Sequence, residues 1–213
     1  EVVLLLDARF DAGEGRHPRE SPAGPDNGAD GHDFTAGGLD VAVRAAASLA
    51  RFYLRLGDRV GMTAHGERLI HLPPRAGRRQ LSRLLEGLLD VRAPATRTSE
   101  PRLAEPPGLD SRALVILLSP LAGRTVHASA ASLARRGHPI VVVDTLPPGV
   151  RPAQETVWTD LALRLWLLQR ETRSQRLREL GVPVVAWQGA GSLDAVLRDL
   201  VRAGTGPRQG ALR

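Results

Sequence analysis

EVVLLLDARFD, residues 1–11, decides how the rest of the chain is read. Val2, Val3, Leu4, Leu5 and Leu6 form an unbroken apolar run that stops on an acid, Asp7, followed by Arg9 and Asp11. The run is too short for a buried helix. It reads as a strand covered on both faces, which is the environment of a parallel sheet. Function in such sheets gathers where loops meet beyond the carboxyl ends of the strands. Asp7, Arg9 and Asp11 are therefore the first candidate site residues.

Outward from that strand the chain alternates. Residues 12–36 are rich in Gly, Pro and charge, a segment too long and polar to be a mere connection. Its acids (Glu14, Glu20, Asp26, Asp30, Asp33) and His17 and His32 lack the spacing of an EF-hand loop and read as solvated. The apolar period predicts a helix over 39–56, with Leu39, Ala42, Val43, Ala46, Ala50, Tyr53 and Leu54 on one stripe, ended by Gly57. Alternation at Val60, Met62 and Ala64, a turn at Gly66 and Glu67, and a return over 69–72 into Pro73 and Pro74 predict an antiparallel hairpin at a sheet edge. A helix over 77–89 is expected to bury Leu81, Leu84, Leu85 and Leu88.

A Pro-rich connection over 93–110 leads to a second buried strand, ALVILL at 113–118, which ends on Ser119 and Pro120. A helix to about 136 follows, then IVVV at 140–143, ending on Asp144. The leucine period over 155–180 predicts a long helix with Leu161, Leu165 and Leu168 inward. A strand over 182–187 and a helix over 193–202, with Ser192 at its cap position, complete the pattern. The stretches LRLGDRV, ARRGHPI and RELGVPV repeat one device, a glycine that ends a helix two or three residues before an apolar strand. Helix and strand must then alternate around one sheet with right-handed crossovers. The expected fold is α/β: a three-layer, doubly wound, mostly parallel sheet with an antiparallel edge hairpin. One domain is expected over residues 1–203, followed by a tail at 204–213 that frays.

Composition narrows the function classes. With no cysteine, thiolate metal sites, disulfides and cysteine nucleophiles are all excluded. The net charge of +6 invites a nucleic-acid reading, but every basic residue is Arg, the arginines are interleaved with acids, and the few aromatics are scattered. That pattern fits a solvated surface better than a base-stacking platform. No apolar run approaches the length of a membrane span, so the chain is expected to be soluble. Starting on Glu1 with a core strand, it reads as a piece of a longer protein. Ser119 lacks the Gly-x-Ser-x-Gly turn, there is no phosphate-binding loop of Walker type, and Gly189, Gly191 and Asp194 give only a partial dinucleotide pattern. His65, His71, His127 and His138 are scattered along the chain and are expected in surface or capping roles rather than as metal ligands.

The order of segments, from the first strand through GDRVGMTAHGERLIHLPP, GRRQLSRLL and ALVILLSPL to the Arg-Arg-Gly-His turn, resembles a von Willebrand factor A-type domain. More narrowly, it is similar to the bacterial branch called domain of unknown function 58. The likeness runs from Val2 to about Arg202. Domains of the wider class carry a metal-ion-dependent adhesion site, Asp-x-Ser-x-Ser with a Thr and a second Asp from later loops. On this chain the resemblance places the first Asp at Asp7, the serine positions at Arg9 and Asp11, the Thr at Thr96 or Thr98, and the second Asp at Pro120, beside Ser119. Arg9 brings positive charge where Mg²⁺ would bind, and Pro120 offers no carboxylate, so the site is expected to be degenerate, with no cofactor.

Two readings of the Asp7, Arg9, Asp11 triplet stay open. The residues are a polar strand end satisfied by loop N–H groups, or the Arg9 guanidinium pairs with Asp7 or Asp11 and replaces the charge of the ion. The resemblance implies a noncatalytic protein-interaction module, not an enzyme. Its protein partner would be a MoxR-type AAA+ ATPase. It would lie at the cytoplasmic face, tethered to a membrane through segments absent from this chain. The alternative is a nucleotide- or small-molecule-binding α/β domain, or an enzyme, that uses the same crevice.

Overall fold

The structure, a computed structural model, describes residues 1–11, 37–94, 102–150, 157–187 and 189. Its elements are β1 (Val2–Asp7), α1 (Gly38–Arg55), β2 (Val60–His65), β3 (Leu69–Arg75), α2 (Arg78–Leu89), β4 (Leu114–Ser119), α3 (Arg124–Arg135), β5 (Ile140–Asp144), α4 (Thr159–Glu179) and β6 (Val184–Ala186). The strands form one sheet in the order β3-β2-β1-β4-β5-β6, parallel throughout except for the β2–β3 edge pair. The chain is therefore the three-layer, mostly parallel α/β fold with an antiparallel edge hairpin that its alternation predicts. The expectations over residues 12–36, at Thr96 and Thr98, at Ser192 and over 193–213 lie outside the described residues.

β1 occupies the middle of the sheet, and all six of its residues are buried. Leu4 pairs with Met62 of β2 on one side and Ile116 of β4 on the other. Its pleat divides the core. Val2, Leu4 and Leu6 face α1 and α2, meeting Ala45, Ala46, Leu49, Leu84 and Leu88, whereas Leu5 faces the opposite layer with Val126, Ala130, Leu133 and Leu177 of α3 and α4. The alanines of α1 leave room for its backbone to come close to the sheet, and Leu39, Val43 and Leu54 flank that stripe half-buried. The three helix-ending glycines, Gly57, Gly137 and Gly181, have φ of 88°, 84° and 78°. A Cβ is strained in that region, which is why the repeated device needs glycine.

The edge hairpin carries a bulge. Val60 pairs with Arg75 and Met62 with Leu72, so β3 spends one residue more than β2 across the interval that holds Pro73 and Pro74. A Cβ on Gly61 would lie 2.8 Å from the Pro74 ring, so glycine lets the proline ring lie against β2. The bulge frees two carbonyls, and buried Gln80 of α2 takes both: its Nε2 donates to Val60 O (2.8 Å) and Pro73 O (3.1 Å).

Two sequence expectations fail. Leu85 of α2 is exposed, and the buried positions of that helix are Gln80, Leu84 and Leu88, because Gln80 has carbonyls to satisfy and Leu85 lies past the rim of the sheet-facing stripe. Leu161, Leu165 and Leu168 of α4 face solvent, and the buried residues are Arg170, Ser174 and Leu177. Arg170 turns inward on this stripe because it meets the carboxyl edge of the sheet, where the Asp144 carboxylate stands, while Leu177 further along packs into the core. No helix among the described residues is long and apolar enough to cross a membrane.

Candidate functional site

β1, β4 and β5 end at the same edge of the sheet on Asp7, Ser119 and Asp144, each a residue that interrupts an apolar run. Asp7 is wholly buried, and both of its oxygens are engaged. Arg9 Nε donates to Oδ1 at 2.6 Å, and Ser119 Oγ donates to Oδ2 at 2.8 Å. Arg9 folds back over the strand end, and its Nη1 donates to Thr125 Oγ1 (3.2 Å) in the first turn of α3. Asp11 does not join this cluster. Its Oδ1 accepts the backbone N–H of Leu39 (3.2 Å), one of the N–H groups that the start of α1 leaves without an intrahelical partner. Of the two acids within reach of Arg9, the structure pairs it with Asp7.

The loop after β4 is clamped from two sides. Ser119 Oγ also accepts the N–H of Leu121 (3.0 Å), while Arg170 Nε, reaching across from α4, donates to Pro120 O (2.9 Å). Leu121 is buried with φ of 53°, a conformation that a branched residue holds only where its surroundings impose it. Arg170 also forms an ion pair with Asp144, whose Oδ1 accepts the N–H of Leu146 (3.0 Å). Thr145 N donates to Ser119 O (3.0 Å), tying β5 to β4 at the same level. Asp–Arg pairs thus flank the Ser119–Leu121 loop on both sides.

Histidines border the cluster without joining it. Asp7 is in register with His65, whose Nε2 donates to Ala104 O at 3.1 Å. Burial pushes the His65 pKa below the usual imidazole range; the Ala104 carbonyl and Asp7 oppose the shift, and Arg9 adds to it. His127, on the first turn of α3, donates from Nδ1 to Gly123 O (3.0 Å) and is buried rather than at the surface. Its pKa is also held down, first by burial and then by Arg173 and Arg170, against the Gly123 carbonyl and Asp144. His71 Nδ1 shares a hydrogen with Thr63 Oγ1 (3.0 Å) across the hairpin, and His138 Nε2 lies 3.6 Å from Glu105.

As a donor set for Mg²⁺ the cluster fits poorly. It offers one carboxylate with both oxygens already held, the hydroxyls of Ser119 and Thr125, each engaged with Asp7 or Arg9, and a guanidinium in the space a cation would share. Among the described residues no group of three or more His, Asp or Glu side chains is arranged to hold a metal. The signals for Asp144 and Arg170 were present in the sequence, an acid closing an apolar strand and an arginine four and seven residues before Ser174 and Leu177. The apolar period of α4, however, pointed to the opposite face.

No curated protein and no solved structure matches this chain. A family model described as "Protein of unknown function DUF58" matches residues 35–151. The matched stretch runs from the approach to α1 past the end of β5 and holds Ser119, Pro120, Thr125 and Asp144, while Asp7, Arg9 and Arg170 lie outside it. Since it covers more than half of the 213 residues, the chain belongs to the DUF58 family.

Proposed function

We propose that this chain is a noncatalytic protein-interaction module of von Willebrand factor A type whose adhesion site no longer uses a cation. The observation that carries the reading is the Arg9–Asp7 contact of 2.6 Å with Ser119 on the other carboxylate oxygen. A fixed guanidinium supplies positive charge at the strand end and holds the loop in shape without an ion. The partner would be a protein rather than a small substrate, and a MoxR-type AAA+ ATPase is the partner proposed. In the full-length parent the module would stand at the cytoplasmic face of a membrane, tethered by segments outside this chain.

The test is a thermal-shift and calorimetric titration of the wild type and Arg9→Ser with millimolar Mg²⁺ and a panel of nucleotides. The wild type should respond to neither, and Arg9→Ser should melt at a lower temperature. Arg9→Ser melting like the wild type would remove the charge-substitution idea. A clear shift with nucleotide would favour a small-molecule-binding domain, and Mg²⁺ binding to the wild type would restore a cation site.

A further inference from the structure

α4 is two helices in one. Over its second half it has the faces of an ordinary surface helix: Arg170, Ser174 and Leu177 are buried, while Glu171, Arg176, Arg178 and Glu179 stand outward. Arg170 lies level with the carboxyl edge of the sheet, since it reaches Pro120 O and Asp144, and Leu177 packs back toward Ile140 and Val115. At 1.5 Å per residue, the turns before Arg170 therefore project roughly 18 Å beyond that edge. In this projecting half the outward face is apolar. Trp158, Leu161, Leu165 and Leu168 are 70, 53, 51 and 65 % exposed, and they occupy the face opposite the buried stripe.

Their spacing of three, four and three residues is that of a coiled-coil seam, and it reads the same in both directions. Reversed about residue 163, Trp158 falls opposite Leu168 and Leu161 opposite Leu165. A seam with this property is complementary to itself in antiparallel register, which is what a two-fold interface requires. Taking roughly 150–250 Å² for each large side chain, these four with Val157, which is 93 % exposed on the same side, expose on the order of 600 Å². That is at the top of the range for the largest patch on a monomer. Doubled by symmetry it gives about 1,200 Å², above the roughly 1,000 Å² that a specific interface needs. We infer that the projecting half of α4 pairs antiparallel with the same helix of a second copy of this chain. The dimer would place the two Arg170 residues, and the loops they clamp, on either side of the shared helix pair.

Sedimentation velocity of the chain from low-micromolar to several-hundred-micromolar concentration should show a reversible dimer. Leu165→Glu should weaken it more than tenfold, with the circular dichroism and melting temperature of the monomer unchanged, because the position is solvent-facing. The register is then tested with thiols, which the native chain lacks altogether. Trp158→Cys and Leu168→Cys should cross-link through a short bismaleimide when mixed, and neither should link to itself, since the two-fold separates each from its own copy by about 15 Å along the helix. A chain monomeric at every concentration overturns the inference. So does a dimer indifferent to Leu165→Glu, or self-linking of each cysteine variant, which would mean a parallel pair. If Leu165→Glu destabilises a monomer, the face is covered from within the same chain, and the inference likewise falls.

Discussion

Two arginines, half-buried Arg9 and buried Arg170, hold the carboxyl edge of the sheet, and they differ in what their loss would expose. Arg170 is the sole side chain among the described residues seen bonding the Pro120 carbonyl, and it also neutralises Asp144. Arg170→Met keeps the stem but leaves a largely buried carboxylate and a carbonyl unanswered, which costs about 3 kcal/mol or more. In a chain of this size that lowers the melting temperature by roughly 10 °C. Scanning calorimetry checks it, and a cycle with Asp144→Asn should recover part of the loss. His127 carries a pH signature. Its folded pKa lies below the ordinary imidazole value because of burial, so as pH falls below about 6.5 the unfolded chain takes up a proton that the folded one refuses. Stability is then lost from that pH downward until the folded pKa is reached, and is unaffected above it. His65 shifts the same way. Urea midpoints measured between pH 7 and 5 should fall, and His127→Gln should flatten part of the slope. The sequence put Arg9 within reach of two acids, Asp7 and Asp11, each two residues away, and left open whether it pairs with either; the folded chain chooses Asp7. Arg170 left a trace, an arginine at helical spacing from Ser174 and Leu177, which the leucine period of α4 outweighed, while Thr125 left none, because only the folded chain brings it to that edge.

At the scale of elements, Gln80 shows how a bulge is kept. Prolines in β3 cost the edge pair its regular ladder, and one amide nitrogen bridges the two carbonyls that result. Gln80→Leu fills the space but leaves the buried Val60 carbonyl and the partly exposed Pro73 carbonyl without their donor, so a destabilisation of about 1–3 kcal/mol is expected, read as a lower urea midpoint at unchanged slope. Gln80→Glu should fare no better, since a carboxylate brings acceptors where donors are needed. Each strand core and four of the predicted helices could be placed from the sequence, because buried parallel strands are continuous apolar runs and helix-ending glycines mark the returns. The facing of α4 could not, and on α2 the period placed Leu84 and Leu88 inward but overreached at Leu85 and missed Gln80. Apolar period assigns a leucine stripe to the core by default, yet α2 turns a glutamine inward to meet its bulge. On α4 the exposed leucines lie on the side away from half-buried Leu163 and Trp166, along the turns that precede Arg170 and the strand ends.

For the whole molecule, the order β3-β2-β1-β4-β5-β6 puts the strand nearest the amino terminus between two partners that lie far along the chain. Val2 sits beside Val60 on one side and Leu114 on the other. Such long-range pairing makes a fold slow to assemble, because large loops must close before any contact rewards them. On the ribosome the wait has a length. At about 5–20 residues per second, the edge of β1 that receives β4 must stay unpaired for on the order of ten seconds while the chain grows that far, well after β2 has been made. Until then that backbone edge is open to any other extended segment, so the strand at the centre of the native sheet is also one exposed to going astray while the protein is being made.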